Sequence, residues 1–227
     1  MRVVAVLVAL LASLGVAQAR PIIIEESAVI TPPGGTNYVR FGYQVGTNGE
    51  YALVVADHPK PADSFLAQTF DALLYRRVNG AWVFQRILAR GSRSDDDYSY
   101  FPVVIGMKGN LASTELGETR SFIHRFNGAE WVPAGNGAGL QEDVSIDGER
   151  ILYGVGEYWN GLVFEPDGAG GWTSQYLPGQ PRCCDDEFWG GPVDLAGDRA
   201  ILGTPDTYDL EPQEIPIYHR VVGAGWQ

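Results

Sequence analysis

The feature that most constrains the fold of this chain is a pair of short patterns that each return four times in its 227 residues. In the first pattern an apolar run leads into a turn that ends in glycine, and a second apolar run leads out of it. The turn glycines are Gly49, Gly109, Gly148 and Gly197. Glycine adopts the positive φ that a tight turn between paired strands requires, so each copy predicts a β-hairpin.

The second pattern is Gly-Ala followed within three residues by a tryptophan. Its tryptophans are Trp82, Trp131, Trp172 and Trp226. The two patterns alternate along the chain, so one unit of the repeat holds two hairpins and therefore four antiparallel strands. Because the tryptophans return in register, we expect them to pack between neighbouring sheets rather than to form a carbohydrate platform.

Radial stacking of four-stranded antiparallel sheets is the β-propeller, so the repeat predicts an all-β propeller of about four blades. The units cover residues 41–90, 95–135, 139–179 and 188–227. The 29 Gly and 14 Pro residues are too frequent for long helices, whereas the 6 Trp, 11 Tyr and 9 Phe residues favour strands. The alternative fold is a meandering β-sandwich whose repeats are similar by chance.

We expect the fourth unit to lack its last strand, because only Gln227 follows Trp226. Residues 20–40 precede the first unit, and within them residues 22–30 form a strand-like apolar segment. This segment could pair with the fourth blade, close the ring and cover the free sheet edges. An incomplete larger propeller, which could be completed by a homodimer, is the alternative.

Two short segments, Phe41-Gly-Tyr-Gln-Val45 and Leu202-Gly-Thr-Pro205, lie in the first and fourth units. The first is similar to the opening, and the second to the Gly-Ala-Pro element, of the bacterial FG-GAP-type repeats that are related to the propeller of integrin α subunits. The Phe-Gly pair is intact only once. The resemblance implies an extracytoplasmic propeller that binds a protein or a glycan, although propellers host many functions.

Calcium-binding copies of that family expand the first turn into a loop of alternating Asp and Asn residues, because the ion needs several oxygen ligands. Here the turns are as short as Asn48-Gly49 and Asp147-Gly148. Two residues cannot surround an ion, so we expect no calcium site in the repeats.

The first nineteen residues have the order of a signal peptide. Arg2 gives a positive start, residues 3–16 are almost uninterruptedly apolar, and Ala17-Gln-Ala19 offers the small residues that signal peptidase accepts. The apolar run is shorter than the ~20 residues that span a bilayer. We therefore expect a secreted or periplasmic protein with no membrane span.

The charge of the chain argues against a nucleic-acid partner. Asp and Glu number 28 against 16 Lys and Arg, which gives a formal net charge of −12 at pH 7. Binding to phosphate backbones needs clustered cations, and the arginines here are scattered.

The three histidines do not predict a metal or catalytic centre. His124 and His219 were aligned at one repeat position that alternation places on an outward face, so both are expected to be exposed. His58 lies in a long loop with no cysteine or second histidine near it, which disfavours zinc. No Gly-x-Ser-x-Gly elbow is present, so the sequence nominates no catalytic, cofactor or metal residue.

The two cysteines, Cys183 and Cys184, are adjacent in the connection before the fourth unit. Neighbouring Cα atoms lie ~3.8 Å apart, which is closer than in an ordinary disulfide. Three alternatives remain open: a strained vicinal disulfide, two free thiols, or a bridge between two chains.

Four loop aromatics fall outside the tryptophan register and are the candidate ligand contacts, namely Tyr158, Trp159, Phe188 and Trp189. We expect a non-enzymatic module that binds a protein or glycan through such loops. The alternative is an extracellular polymer-acting enzyme, a glycan hydrolase or lyase, that uses loop carboxylates such as Asp143, Glu157 or Asp206.

The signal peptide makes the first testable prediction. Amino-terminal sequencing of the exported protein should begin at Arg20, because cleavage is expected after Ala19. A cytoplasmic product that keeps Met1 would contradict this assignment.

Overall fold

The computed structural model describes residues 28–34, 37–58, 68–93, 103–117, 121–137, 139, 141–155, 160–177, 192–203 and 215–227. They form sixteen strands in four antiparallel sheets, and in every sheet the strands follow chain order. Sheet 1 contains β1 (Arg40–Thr47), β2 (Tyr51–Asp57), β3 (Gln68–Val78) and β4 (Ala81–Arg93). Sheet 2 contains β5 (Val103–Lys108), β6 (Leu111–Leu116), β7 (Phe122–Phe126) and β8 (Trp131–Asn136). Sheet 3 contains β9 (Gln141–Asp147), β10 (Arg150–Val155), β11 (Asn160–Pro166) and β12 (Trp172–Tyr176). Sheet 4 contains β13 (Val193–Ala196), β14 (Arg199–Leu202), β15 (Ile217–Val221) and β16 (Gly225–Trp226).

The prediction of an all-β chain with four four-stranded antiparallel sheets is confirmed. The last strand of sheet 4 is reduced to two residues rather than absent. None of the described elements is an apolar helix of the length that crosses a bilayer.

The turn glycines behave as the repeat predicted. Gly49, Gly109, Gly148 and Gly197 all have positive φ, between 57° and 92°. A side chain at such a φ would be strained, so glycine fixes where each first hairpin turns.

The four sheets have one end with short turns and one end with long connections. The turns that join the first to the second strand and the third to the fourth strand are two to five residues long, and we call their side the turn end. The other connections within and between sheets are four to sixteen residues long, and they start and finish at the opposite side, the loop end. The turn ends of neighbouring sheets lie together, since Asn48 Nδ2 donates to Gly109 O at 2.6 Å and Gly197 N donates to Asp147 Oδ2 at 2.6 Å.

The first strands of successive sheets stand side by side in the order β1, β5, β9, β13. Side chains of one first strand accept hydrogen bonds from backbone N–H groups of the first strand in the next sheet. Gln44 Oε1 accepts from Ile105 N at 2.9 Å, and Asp143 Oδ2 accepts from Val193 N at 2.8 Å. Such contacts cover the edge N–H groups that a first strand would otherwise expose.

Small residues allow this close approach. A Cβ at Gly106 would lie 2.8 Å from Cγ1 of Val144, and a Cβ at Gly46 would lie 3.2 Å from Met107 N. The third sheet has Ser145 at the matching place, and its Oγ accepts from Leu195 N at 3.0 Å.

Apolar side chains fill the spaces between the sheets. Leu53, Val55 and Leu74 of sheet 1 pack with Met107, Leu116 and Trp131 of sheet 2. Leu111 and Ile123 of sheet 2 pack with Ile146, Ile151, Tyr153 and Leu162 of sheet 3. Leu152 and Val163 of sheet 3 pack with Leu195, Leu202, Tyr218 and Trp226 of sheet 4.

Three of the four tryptophans of the second pattern pack between sheets, as predicted, and the prediction is wrong for Trp82. Trp131 and Trp226 are buried in the first and last of these cores. Trp172 packs against the middle core, and its Nε1 donates to Ala134 O of sheet 2 at 2.9 Å. Trp82 packs on the outward side of sheet 1.

The end of the amino-terminal segment packs on the outward side of sheet 1. Ile30 lies against a core that includes Val54 and Tyr75, and Tyr75 Oη donates to Thr31 O at 2.9 Å. Residues 22–27 lie outside the described residues, so their pairing with sheet 4 stays a prediction.

The prediction that His124 is exposed is wrong, because its side chain is buried. The strand register pairs His124 with Ala112 and Tyr75 with Ala52, so His124 occupies the position in sheet 2 that the buried Tyr75 occupies in sheet 1. The sequence alignment with His219, which is exposed as predicted, was therefore one residue out of step. Successive strand residues point to opposite faces, so this slip exchanged the two faces.

Burial and the nearby Arg86 lower the pKa of His124 to about 4 from its ordinary 6.5. Between pH 6.5 and 4, His124 therefore binds a proton in the unfolded chain but not in the folded chain. The free energy of unfolding should fall as pH drops from 6.5 to 4, by up to about 3 kcal/mol, and this contribution should be flat above and below.

The variant His124→Phe tests this, because the matching residue of sheet 3 is Phe164. Urea unfolding of both proteins at several pH values should show a smaller loss in the variant between pH 6.5 and 4. Identical pH profiles would contradict the prediction.

Candidate functional site

Two buried carboxylates, Asp57 and Asp71, lie at the loop end of sheet 1. Asp57 ends β2, and Asp71 lies in β3 directly opposite Ala56. The pairing of β2 with β3 therefore places both carboxylates close together at the loop end, where the long connections begin. A buried charge requires partners, and each of the two has its own set.

Asp57 is bound by Arg40 and Gln68. Its Oδ1 accepts from Arg40 N at 2.9 Å, and its Oδ2 accepts from Arg40 Nε at 2.8 Å. Gln68 Nε2 also donates to Oδ2. These bonds tie the start of β1, the end of β2 and the start of β3 together.

Asp71 is bound by three side chains from three further places in the chain. Its Oδ2 accepts from His58 Nε2 at 2.9 Å and from Tyr38 Oη at 3.1 Å. Its Oδ1 lies 3.1 Å from Arg90 Nε. Tyr38 also packs its ring against the His58 ring, with centroids 5.0 Å apart.

The partners of the two carboxylates reach the surface. The side chains of Arg40, His58 and Arg90 are 47%, 33% and 69% exposed, whereas the two aspartates are 2% exposed. Buried acids therefore hold two arginines and the imidazole of His58 at the surface of an acidic protein. Tyr43 extends this surface, since Arg40 Cζ lies 4.8 Å from the centre of its ring.

The arrangement can orient a histidine. An ionised Asp71 accepts from Nε2 of His58, so Nδ1 is the nitrogen that can accept a proton. This is the chemistry of a general base held by a carboxylate.

A second polar cluster is buried between sheets 2 and 3. Ser113 Oγ and Tyr153 Oη lie 2.9 Å apart, and Ser121 also hydrogen-bonds Tyr153. Burial is the main reason that the pKa of Tyr153 is raised, and the buried Glu115 adds to it. The cluster leaves no room beside it, because a Cβ at Gly137 would lie 2.5 Å from Tyr153 Oη.

The residues nominated from sequence fall mainly outside the described part of the chain. Cys183, Cys184, Tyr158, Trp159, Phe188 and Trp189 all lie there, and so do Glu157 and Asp206. The structure does describe Asp143, whose Oδ1 accepts from Val144 N and whose Oδ2 accepts from Val193 N. That carboxylate binds the next first strand.

Sequence reasoning missed Asp57 and Asp71. The available signal was a carboxylate inside an apolar strand, in Val54-Val-Ala-Asp57 and in Phe70-Asp71-Ala-Leu73. A charge in such a place needs a buried partner, which its sequence neighbours do not reveal.

In the described ranges no group of three or more His, Cys, Asp or Glu side chains could hold a metal ion. A scan of the chain against protein-family models and a search among curated proteins found no match. The resemblance to FG-GAP-type repeats therefore stays a prediction from the residues.

Asp71→Asn should lower the free energy of unfolding by about 1–3 kcal/mol, because an amide cannot accept from the charged donors as the carboxylate does. The matched control is Glu130→Gln, which alters an exposed ion pair with Arg86 whose atoms lie 3.8 Å apart and should cost less than about 0.5 kcal/mol. Urea unfolding measures both. Equal losses in the two variants would contradict a structural role for Asp71.

Proposed function

We propose that this protein is a secreted or periplasmic binding module with no catalytic activity, and that its four sheets are blades of a β-propeller. Its ligand is a protein or a glycan, and the ligand contacts the loop end. The observation that carries the proposal is that the long connections of all four sheets start and finish at one end, while the other end has only tight turns.

The side-by-side order of the first strands supports the propeller. In a propeller the first strands of the blades surround a central axis, and each sheet packs face to face on its neighbour. The contacts from β1 to β5, from β5 to β9 and from β9 to β13 follow this order.

The network around Asp57 and Asp71 supports binding at the loop end. It gives the start of the connection between β2 and β3 a rigid base of buried hydrogen bonds. Loops held by a rigid scaffold are the usual place for ligand contacts. The exposed Arg40 and Arg90 add donors suited to carboxylate or hydroxyl groups.

The engagement of the described carboxylates favours binding over the enzymatic alternative. A glycosidase needs one carboxyl group that carries a proton and one that faces the substrate. Asp57 and Asp71 are instead buried and bound by cations, and Asp143 is bound by backbone N–H groups. The alternative enzyme would have to use other acids, such as Glu157 and Asp206.

The proposal is tested by measuring binding and product release together. The purified protein is applied to arrayed neutral and acidic polysaccharides and to arrayed envelope proteins, and released reducing ends are measured in parallel. We expect retention on one of these classes with no released product. Release of reducing ends would support the enzyme, and retention on none of them would refute the proposal.

Variants separate the loop end from the turn end. Trp159→Ala combined with Trp189→Ala should weaken the retained interaction by ~10-fold or more, because aromatic anchors dominate binding. Val222→Ala is the control, since Val222 is exposed in a turn between β15 and β16. If Val222→Ala weakens binding as much, the ligand contacts the other end.

A further inference from the structure

Sheet 4 has one face that is packed and one that is open. Along β13, β14 and β15 the side chains alternate between buried and exposed. The buried row packs on sheet 3. We call the exposed row the end face, and it consists of Asp194, Ala196, Arg199, Ile201, Ile217 and His219.

The end face carries apolar residues at positions that a neighbouring sheet covers in sheet 3. The register pairs Ile201 with Ile217, as it pairs Leu152 with Val163 in sheet 3. Leu152 and Val163 are 0% and 1% exposed because sheet 4 lies on them, whereas Ile201 and Ile217 are 39% and 56% exposed. Two isoleucines at these positions leave an apolar surface in water that a neighbouring sheet would bury.

Ion pairs between the sheets identify the surface that fits the end face. In sheets 3 and 4 the acidic residue after the turn glycine is bound by an arginine of the preceding sheet, whereas sheet 2 has Asn110 at that position. Arg125 Nη2 lies 2.6 Å from Glu149 Oε2, and Arg150 Nη1 lies 3.1 Å from Asp198 Oδ1.

Sheets 4 and 1 carry residues at the matching positions of this contact. Arg199 follows the turn of sheet 4 as Arg150 follows the turn of sheet 3. Glu50 follows the turn of sheet 1 as Asp198 follows that of sheet 4, and its side chain is 55% exposed although it pairs with Arg76 of its own sheet at 2.8 Å. A surface of the sheet 1 type therefore complements the end face in charge.

Sheet 1 also has an open apolar position on that side. Val45 is 57% exposed, whereas Val193 at the matching place of sheet 4 is 9% exposed under sheet 3. Ile30, Tyr38 and Phe41 cover the outer part of the same side. The part left open is β1 with the adjoining turn.

We propose that the end face of one copy docks on the β1 side of sheet 1 of a second copy. Val45 and Ile217 are both more than half exposed within one chain, so the two surfaces are not seated on each other there. Two such contacts related by a twofold axis close on themselves, and they give a ring of eight sheets from two copies of four. This assembly does not depend on the ligand-binding proposal.

The test is the mass of the purified protein in solution, measured by light scattering and sedimentation from nanomolar to high micromolar concentration. The parent should be a dimer that dissociates on dilution. Ile217→Glu should raise its dissociation constant by ~100-fold or more, because it places a charge in the centre of the contact. Val222→Glu is the matched control at an exposed turn residue and should leave the dimer unchanged.

Two further measurements test whether the end face contacts the β1 side of sheet 1. Val45→Glu alone should also be monomeric, but when it is mixed with Ile217→Glu the two variants should form a one-to-one complex. The end face of the Val45→Glu chain and the β1 side of the Ile217→Glu chain are both unaltered, so one of the two contacts can still form. Arg199→Glu should weaken the dimer, and Glu50→Arg in the same chain should restore it. Circular dichroism checks that each variant is folded.

A parent that is monomeric at all concentrations would overturn the proposal. If Arg199→Glu destabilises that monomer and Glu50→Arg restores its stability, sheet 4 packs on sheet 1 of its own chain. If Glu50→Arg does not restore the stability, sheet 4 packs on the amino-terminal segment of its own chain. A dimer that persists in Ile217→Glu would also overturn it.

Discussion

The structure depends on hydrogen bonds from the backbone N–H groups of one first strand to the side chains of the preceding first strand. Asp143, Ser145 and Asp147 occupy alternate positions along β9, and they accept from the backbone N–H groups of Val193, Leu195 and Gly197. Every acceptor lies on the same face because the period of a strand is two. The free edge of sheet 4 is thereby hydrogen-bonded without a fifth strand.

This contact explains several residues that would otherwise be unusual in a strand. Asp147 lies at a turn, and its pKa is lowered by the hydrogen bond from Lys108 and by that from Gly197 N. Glycines in a strand interior weaken it, but Gly46 and Gly106 are needed where the next first strand approaches. The polar and small residues of the first strands therefore position the sheets, and the apolar residues between the sheets supply the stabilising burial.

The same stacking separates the two ends of the molecule. Tight turns and hydrogen bonds between neighbouring turns fix the turn end, so the variable connections are left to the loop end. There Asp57 and Asp71 replace the apolar packing with buried hydrogen bonds and hold the exposed cations in place. Such a base gives the connections a rigid support while it keeps the polar groups of the strand ends satisfied.

The sequence by itself determined the number of sheets, the hairpins and the packing of three of the four repeat tryptophans, because turn glycines and apolar rows are local signals that return with the repeat. The tertiary structure alone decided which polar residues are buried. His124 is buried because its row of sheet 2 faces sheet 1, against which its partner Ala112 packs, whereas His219 lies on a face of sheet 4 that is exposed. Asp57 and Asp71 form a site only with Tyr38, Arg40 and Arg90, which are distant along the chain. A repeat pattern shows which way a side chain points within its own sheet, whereas burial and partners depend on what packs against that sheet.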